Sequence, residues 1–232
     1  MSYVLAPPAI PSVAVHGRAG ARFAVRRIYC VGRNYVEHAQ EMGFTGREPP
    51  FFFMKPADAL LAVGEGEVGA MHYPSLTHDL QHEVELVVAI GIGGRDIAAQ
   101  DALSHVFGYA VGLDMTRRDL QGEAKKQGRP WCIGKAFDEA APIGTLRPAA
   151  ECRIGADTEI RLDVNGATRQ RSTLGKLIWS APEVIEHVSK ARMLAAGDLI
   201  YTGTPAGVAA VVPGDTLHAM VAGVGSLHLE IV

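Results

Sequence analysis

Cysteine is scarce: Cys30, Cys132 and Cys152 are the only three, odd in number and far apart, with no Cys-x-x-Cys pair. That spacing excludes a disulfide framework, a zinc knuckle and a thioredoxin-like redox pair, and it suits a reducing, cytoplasmic setting. Long apolar runs are missing as well. The apolar start from Met1 to Val15 is broken by Pro7, Pro8 and Pro11, has no basic lead and is too short to span a bilayer, so it reads as an irregular arm rather than a membrane anchor. No block of basic charge exists, and the formal net charge of -3 gives no long-range attraction to nucleic acid or anionic lipid. Neither Gly91 to Gly94 nor the Thr202 to Val208 stretch has the spacing of a P-loop or a dinucleotide fingerprint. Acids are absent from residues 1–36, and no internal repeat or low-complexity tract occurs.

What is present is the balance of a self-folding globular chain, with 48% hydrophobic and 20% charged residues over 232 positions. One domain of generous size is expected, 28–232, preceded by an arm over 1–27, with a small molecule as partner. In EVELVVAI, Val84, Leu86, Val88 and Ile90 share one face and Glu83, Glu85, Val87 and Ala89 the other, which predicts a strand with acids at one end. A second strand is predicted from Gly108 to Asp114, then a helix capped by Thr116 and running to about Gln127. Asn165-Gly166 between β-compatible flanks predicts a hairpin. Ser180 and Glu183 form a capping box, with Pro182 in the first turn, for a helix reaching about Leu194. Another short helix is expected from the Asn34/Glu37 box to Gly43, followed by a Gly- and Pro-bearing loop to Pro50 suited to a lid. With strands at 199–202, 216–221 and 226–231, the class is α+β with a mixed sheet.

Glu83 and Glu85, two apart on a strand, leave the same face with Cα atoms about 6.8 Å apart. At an effective dielectric of about 20 their repulsion is roughly 2–3 kcal/mol, which demands a cation, a basic partner or full hydration. Hydration is the ordinary outcome for such a pair; Asp114, a third acid at the end of the apolar GYAVGLD run, opens the alternative of three hard oxygens converging on Mg²⁺, Mn²⁺ or Ca²⁺. His78 and His82, four apart, have zinc-pair spacing but no third soft ligand nearby, which favours surface or supporting roles. His38 and Glu41 are helical neighbours that suit either a general-base dyad or a plain surface pair. Arg33 suits a carboxylate grip or a salt bridge. Lys135, flanked by Ile133, Ala136 and Phe137, suits an inward oxyanion contact or a snorkelling surface side chain.

Taken in order, CVGRNYVEHAQEMG, FFFMKPADAL, HEVELVVAIG, GYAVGLDMTRRDLQ, RPWCIGKAFD and DLIYTGTPAGV resemble the fumarylacetoacetate hydrolase family over almost everything after Arg27. RRIYCVGRNY, EPPFFF and LDMTRRDLQ are nearest to its fumarylpyruvate-hydrolysing members. The resemblance implies a mixed β-roll, a homodimer, and a Mg²⁺ or Mn²⁺ site on Glu83, Glu85 and Asp114. It implies a water-activating lid dyad of His38 and Glu41, a catalytic Lys135, and substrate contacts at Arg33, Gln121 and Thr204, to which the chemistry of a distal carboxylate adds Arg118 or Arg117. Larger family members carry an Asp where Asn34 stands, so a fourth carboxylate ligand is in doubt. The implied activity is hydrolysis of a carbon-carbon bond in a 2,4-diketo acid, fumarylpyruvate to fumarate and pyruvate, in aromatic (gentisate) catabolism. Acylpyruvate hydrolysis and oxaloacetate decarboxylation are the alternatives, and a metal- or keto-acid-binding protein without turnover is the alternative outside enzymes.

Overall fold

The computed structural model describes residues 3–36 and 47–232. Its central strand is Val84–Ile90, fully buried on both faces. Val84, Leu86, Val88 and Ile90 enter the larger core, while Val87 and Ala89 enter a smaller one with Cys30, Ile143, Leu199 and Tyr201. The alternation seen in the sequence therefore separates two apolar layers rather than core from water.

Around this strand an eight-stranded mixed sheet runs in the order Phe51–Lys55, Arg27–Gly32, Asp198–Tyr201, Val84–Ile90, Val106–Leu113, Ala141–Ile143 and Leu60–Ala62, with Arg147–Pro148 also on Val106–Leu113. Asp198–Tyr201 lies parallel to Arg27–Gly32 but antiparallel to Val84–Ile90. Arg27 clamps the start of the parallel pair, its Nε and Nη2 donating to the two oxygens of buried Asp198 at 2.9 and 2.7 Å. A second, five-stranded sheet runs Ala167–Thr173, Glu159–Val164, Thr216–Val221, Gly225–Ile231 and Val68–Met71. Its inward residues, Ile160, Leu162, Leu217, Leu227 and Leu229 among them, close over the larger core together with Val184, Ile185 and Val188. This is the mixed β-roll that the resemblance implies.

The hairpin forms where Asn165-Gly166 predicts it: both residues have positive φ, 51° and 77°, as a two-residue type I′ turn requires. The capped helix forms over Ala181–Ala191, with the Glu183 carboxylate accepting the Ser180 N–H at 2.9 Å and its hydroxyl at 2.6 Å. It stops short of Leu194, whose backbone is drawn into a bridge with Gly94. The other long helix, Arg118–Lys126, starts two residues after the cap read at Thr116. Thr116 is occupied otherwise, pairing with Gln81 and donating its hydroxyl to the Asp114 carbonyl at 3.0 Å. The arm is not wholly irregular, since Ser12–Ala14 pairs with Arg22–Ala24 and Val13 and Val25 are buried in the smaller core. Among the described residues no helix is long and apolar enough to cross a membrane. The helix and loop expected over 34–50 fall largely on residues 37–46, outside those described.

Candidate active site

Antiparallel pairing brings the three acids together. Val84 faces Leu113 and Glu85 faces Gly112, so the beginning of one strand meets the end of the other, and the Asp114 N–H continues the ladder to the Glu83 carbonyl at 2.9 Å. Glu83, Glu85 and Asp114 are all buried, and one carboxylate oxygen from each lies within 4.8 Å of the others. The hydrated reading of the Glu pair is thereby excluded.

Three cations surround this charge. Lys135, buried on the four-residue helix Cys132–Lys135, donates from Nζ to Glu83 at 2.8 Å, Asp114 at 2.8 Å and the Thr116 hydroxyl at 2.6 Å. Arg118 bonds Glu83 through Nη2 and also donates to Gln81 and Gln121, each at 2.7 Å. Lys55, with no exposed side-chain surface, sits 2.8 Å from Asp114 Oδ1 and donates to the backbone carbonyls of Met115 and Lys135. Burial opposes ionisation of Glu83, but Lys135 and Arg118 outweigh it and hold its carboxyl far below the usual range. Burial likewise opposes the charge on Lys135, and Asp114 and Glu83 reverse that, keeping it an ammonium.

Glu85 differs. Burial first, then the like charges of Asp114 and Glu83, push its carboxyl well above the ordinary value, against a 2.7 Å bond from the Gly203 N–H and the charge of Lys135. That N–H reaches it because Gly203 has φ of 104°, and a Cβ there would meet the Asn34 Cβ at 2.7 Å. Among the described residues Asp114 Oδ1 is also short of a donor: Lys55 pairs with it in charge, yet off the hydrogen-bond direction. A buried acid whose ionisation is disfavoured and an under-coordinated carboxylate oxygen beside it are what a divalent cation would satisfy, and oxygen donors alone select a hard ion. The residues fit one.

The walls complete the pocket. Phe51 and Phe53 pack on Trp131 at ring separations of 5.4 and 5.7 Å, and the Arg33 guanidinium lies 5.3 Å from the Phe51 centroid. Arg33 holds a positive φ of 57°, unusual for a side chain of its size and typical of functional turns. Gln121, Arg118 and Thr204 line the same pocket as the acids and Lys135. Lys125, on the Arg118–Lys126 helix, has its charge disfavoured by partial desolvation and then by the like charges of Arg33 and Arg118.

Of the residues picked out in the sequence, the structure gathers Glu83, Glu85, Asp114, Lys135, Arg33, Gln121, Thr204 and Arg118 into one pocket. Arg117 is not among the lining residues; its guanidinium stacks 4.3 Å from the Phe137 centroid. His38 and Glu41 lie outside the described residues. Asn34 is no ligand: its amide donates to the Trp179 and Thr202 carbonyls at 2.8 and 2.7 Å, and its oxygen accepts the Trp179 N–H at 2.8 Å. His78 is exposed and His82 buried.

Two site residues escape a reading of the sequence. Lys55 lies in FFFMKP, where a lone lysine after aromatics carries no signal of burial. Gln170 is the other. Its Oε1 accepts from the Val84 N–H at 3.1 Å and His82 Nδ1 at 2.9 Å, while its Nε2 donates to the Thr204 hydroxyl and the Pro205 carbonyl, both at 2.8 Å. It ties the acidic strand to the Thr204 loop from the other sheet, a link no local spacing announces.

Fold and site together define a class: a mixed β-roll protein with a buried carboxylate centre built for a hard divalent cation. Residues 27–232 match the model of the fumarylacetoacetate (FAA) hydrolase C-terminal family, and the chain belongs to that family as one of its enzymes. Fumarylpyruvate hydrolase from Pseudomonas aeruginosa, solved in complex with Mn²⁺ and pyruvate, is 50% identical with a TM-score of 0.97, covering 100% of this chain and 99% of that one. The mitochondrial oxaloacetate decarboxylase of Dictyostelium discoideum is 38% identical over 85% of this chain and 89% of its own length. The mitochondrial oxaloacetate tautomerase of Rattus norvegicus is 39% identical over 89% of this chain and 91% of its own. The family and fold read from the sequence are both borne out.

Proposed function

We propose that this enzyme hydrolyses the carbon-carbon bond between C3 and C4 of a 2,4-diketo acid, with fumarylpyruvate as substrate and fumarate and pyruvate as products. The observation that carries the reading is that one pocket joins an acidic floor at Glu83, Glu85 and Asp114 to a cationic rim at Arg33, with Phe51, Phe53 and Trp131 also lining it. Such a pocket suits an extended dianion whose keto acid end meets the floor and whose second carboxylate meets the rim. Full-length similarity to a fumarylpyruvate hydrolase supports the same choice.

Mg²⁺ or Mn²⁺ is the cofactor, held by Glu83, Glu85 and Asp114; when bound it supplies polarisation of the substrate carbonyl and stabilisation of negative charge. The rest falls to the chain. His38, with Glu41 behind it, takes the proton from the water that attacks C4. Lys135 stabilises the resulting oxyanion or delivers the proton to C3 as the C3–C4 bond breaks. Its three N–H bonds already have acceptors, so it reaches substrate only as one of those acceptors turns away. Gln121 and Thr204 orient the keto acid end, and Arg118 holds Gln121 and Glu83 in place as well as facing the pocket.

A second reading is retained because relatives named oxaloacetate decarboxylase and oxaloacetate tautomerase are 38 and 39% identical over most of the chain. Acylpyruvate hydrolysis is the third. All three involve a keto acid and charge on an enolpyruvate unit, so substrate length decides among them. We further propose that the catalytic unit is 28–232 with 1–27 as an arm, that it works as a cytoplasmic homodimer, and that it acts in aromatic catabolism. The deciding experiment strips the protein of metal, restores Mg²⁺ or Mn²⁺, and compares kcat/KM for fumarylpyruvate, acetylpyruvate and oxaloacetate. Fastest turnover of oxaloacetate would replace the first reading by the second, and no turnover of any would leave a binding protein.

A further inference from the structure

The five-stranded sheet carries a pair of histidines that the active site does not use. Antiparallel register sets His218 of Thr216–Val221 directly opposite His228 of Gly225–Ile231, and the next strand sets Asp163 opposite His218. Directly opposed side chains leave the same face, so all three point away from the core that Leu217, Leu227 and Leu229 fill. The two imidazoles stack with centroids 4.1 Å apart and planes within 19°. They share one concavity with Asp163, Val68 and Thr216, and none of its lining residues belongs to the acidic pocket.

We infer that His218 and His228 form a second, nitrogen-donor cation site on this open face, for a borderline transition ion such as Zn²⁺, Ni²⁺ or Cu²⁺. Two imidazole nitrogens at about 2.0–2.1 Å from one tetrahedral ion lie roughly 3.3 Å apart, somewhat less than the ring spacing found here. In the stack the in-plane lone pairs run nearly parallel, so binding turns the two rings out of the stack about χ1 and χ2 until their planes meet at the ion. Burial and then the neighbouring His218 keep the His228 imidazole from taking a proton as readily as usual, which favours it as a ligand. Asp163 is not free to compete for the ion: Arg161 and Thr168 hold its oxygens at 2.7–2.8 Å. Water therefore completes the coordination, with Glu230, two residues after His228 on the same face, as the nearest further carboxylate along the strand. Imidazole donors favour Ni²⁺, Cu²⁺ and Zn²⁺, whereas the acidic centre favours Mg²⁺ and Mn²⁺, so one chain sorts two kinds of ion to two sheets.

The test titrates Ni²⁺, then Cu²⁺, into full-length enzyme in saturating Mg²⁺, with calorimetry for stoichiometry and electron paramagnetic resonance for the Cu²⁺ ligands. The expected result is one ion per chain with coupling to two nitrogens. His218→Ala and His228→Ala should each weaken binding at least tenfold while leaving Mg²⁺-dependent turnover unchanged. His218→Gln and His228→Gln, which preserve side-chain bulk on the strands, serve if an alanine variant unfolds. Equal Ni²⁺ affinity in wild type and in the double Gln variant, or a Cu²⁺ signal with oxygen donors only, overturns the inference.

Discussion

Lys55 and Asp114 form an ion pair at 2.8 Å with essentially no solvent on either side chain. Removing one member of such a pair strands the other charge. Lys55→Met should therefore cost the metal-free protein roughly 3–5 kcal/mol, and the cost should shrink in saturating Mn²⁺, which returns positive charge to Asp114. Urea unfolding with and without Mn²⁺ measures both; a loss below about 1 kcal/mol in the metal-free form would show that Lys135 alone balances Asp114.

Glu85→Ala should abolish metal-dependent turnover and weaken Mn²⁺ binding, because it removes an oxygen donor from the acidic floor. In the wild type the Glu85 carboxyl is held above its ordinary value, so an entering ion competes with a proton there. Mn²⁺ affinity should accordingly fall as pH falls below that raised value, and binding should release protons into a lightly buffered solution. Proton release unchanged in Glu85→Ala would assign it to another group.

Gln170→Leu leaves the Val84 N–H and His82 without their acceptor and frees Thr204. The expected outcome is a drop in kcat/KM of about tenfold or more, with Mn²⁺ affinity within about threefold of wild type, since no metal-facing oxygen is removed. A variant that lost metal and activity in parallel would instead make Gln170 a support of the acidic strand alone.

Asp119 supplies the pH dependence of stability at the helix start. Burial opposes its ionisation, but the Thr77 hydroxyl and the His78 and Leu120 N–H groups donate to it and hold its carboxyl below the usual range. A depressed folded value stabilises above the unfolded carboxylate range of about 4 and is lost as pH falls through the folded value. Asp119→Asn should thus be less stable by about 1 kcal/mol at pH 7, with the difference from wild type vanishing in acid. A constant difference between pH 7 and pH 3 would rule out linkage.

Much of the site is legible in the sequence because strands encode it locally. The alternation from Glu83 to Ile90 and the acid ending GYAVGLD each mark a strand end, and one antiparallel register suffices to join them. Lys55 and Gln170 are illegible for the opposite reason: each acts across the fold, on Asp114 and on Thr204 respectively. Thr116 misled because its pattern is that of a helix cap, whose hydroxyl oxygen accepts a backbone N–H, whereas here the hydroxyl donates to the Asp114 carbonyl and accepts from Lys135. The pairing of Asp198–Tyr201 between two much earlier strands likewise has no local sign.

That insertion governs how the protein is made. Until residues 198–201 emerge, Arg27–Gly32 and Val84–Ile90 have no common neighbour, and each presents an open apolar edge. Non-local pairing of this kind closes slowly compared with helices and hairpins, and exposed edges invite association with other nascent chains. A ribosome paused in the last third of the message would hold a polypeptide that has all three acids yet no catalytic pocket, and whose safest company is a chaperone.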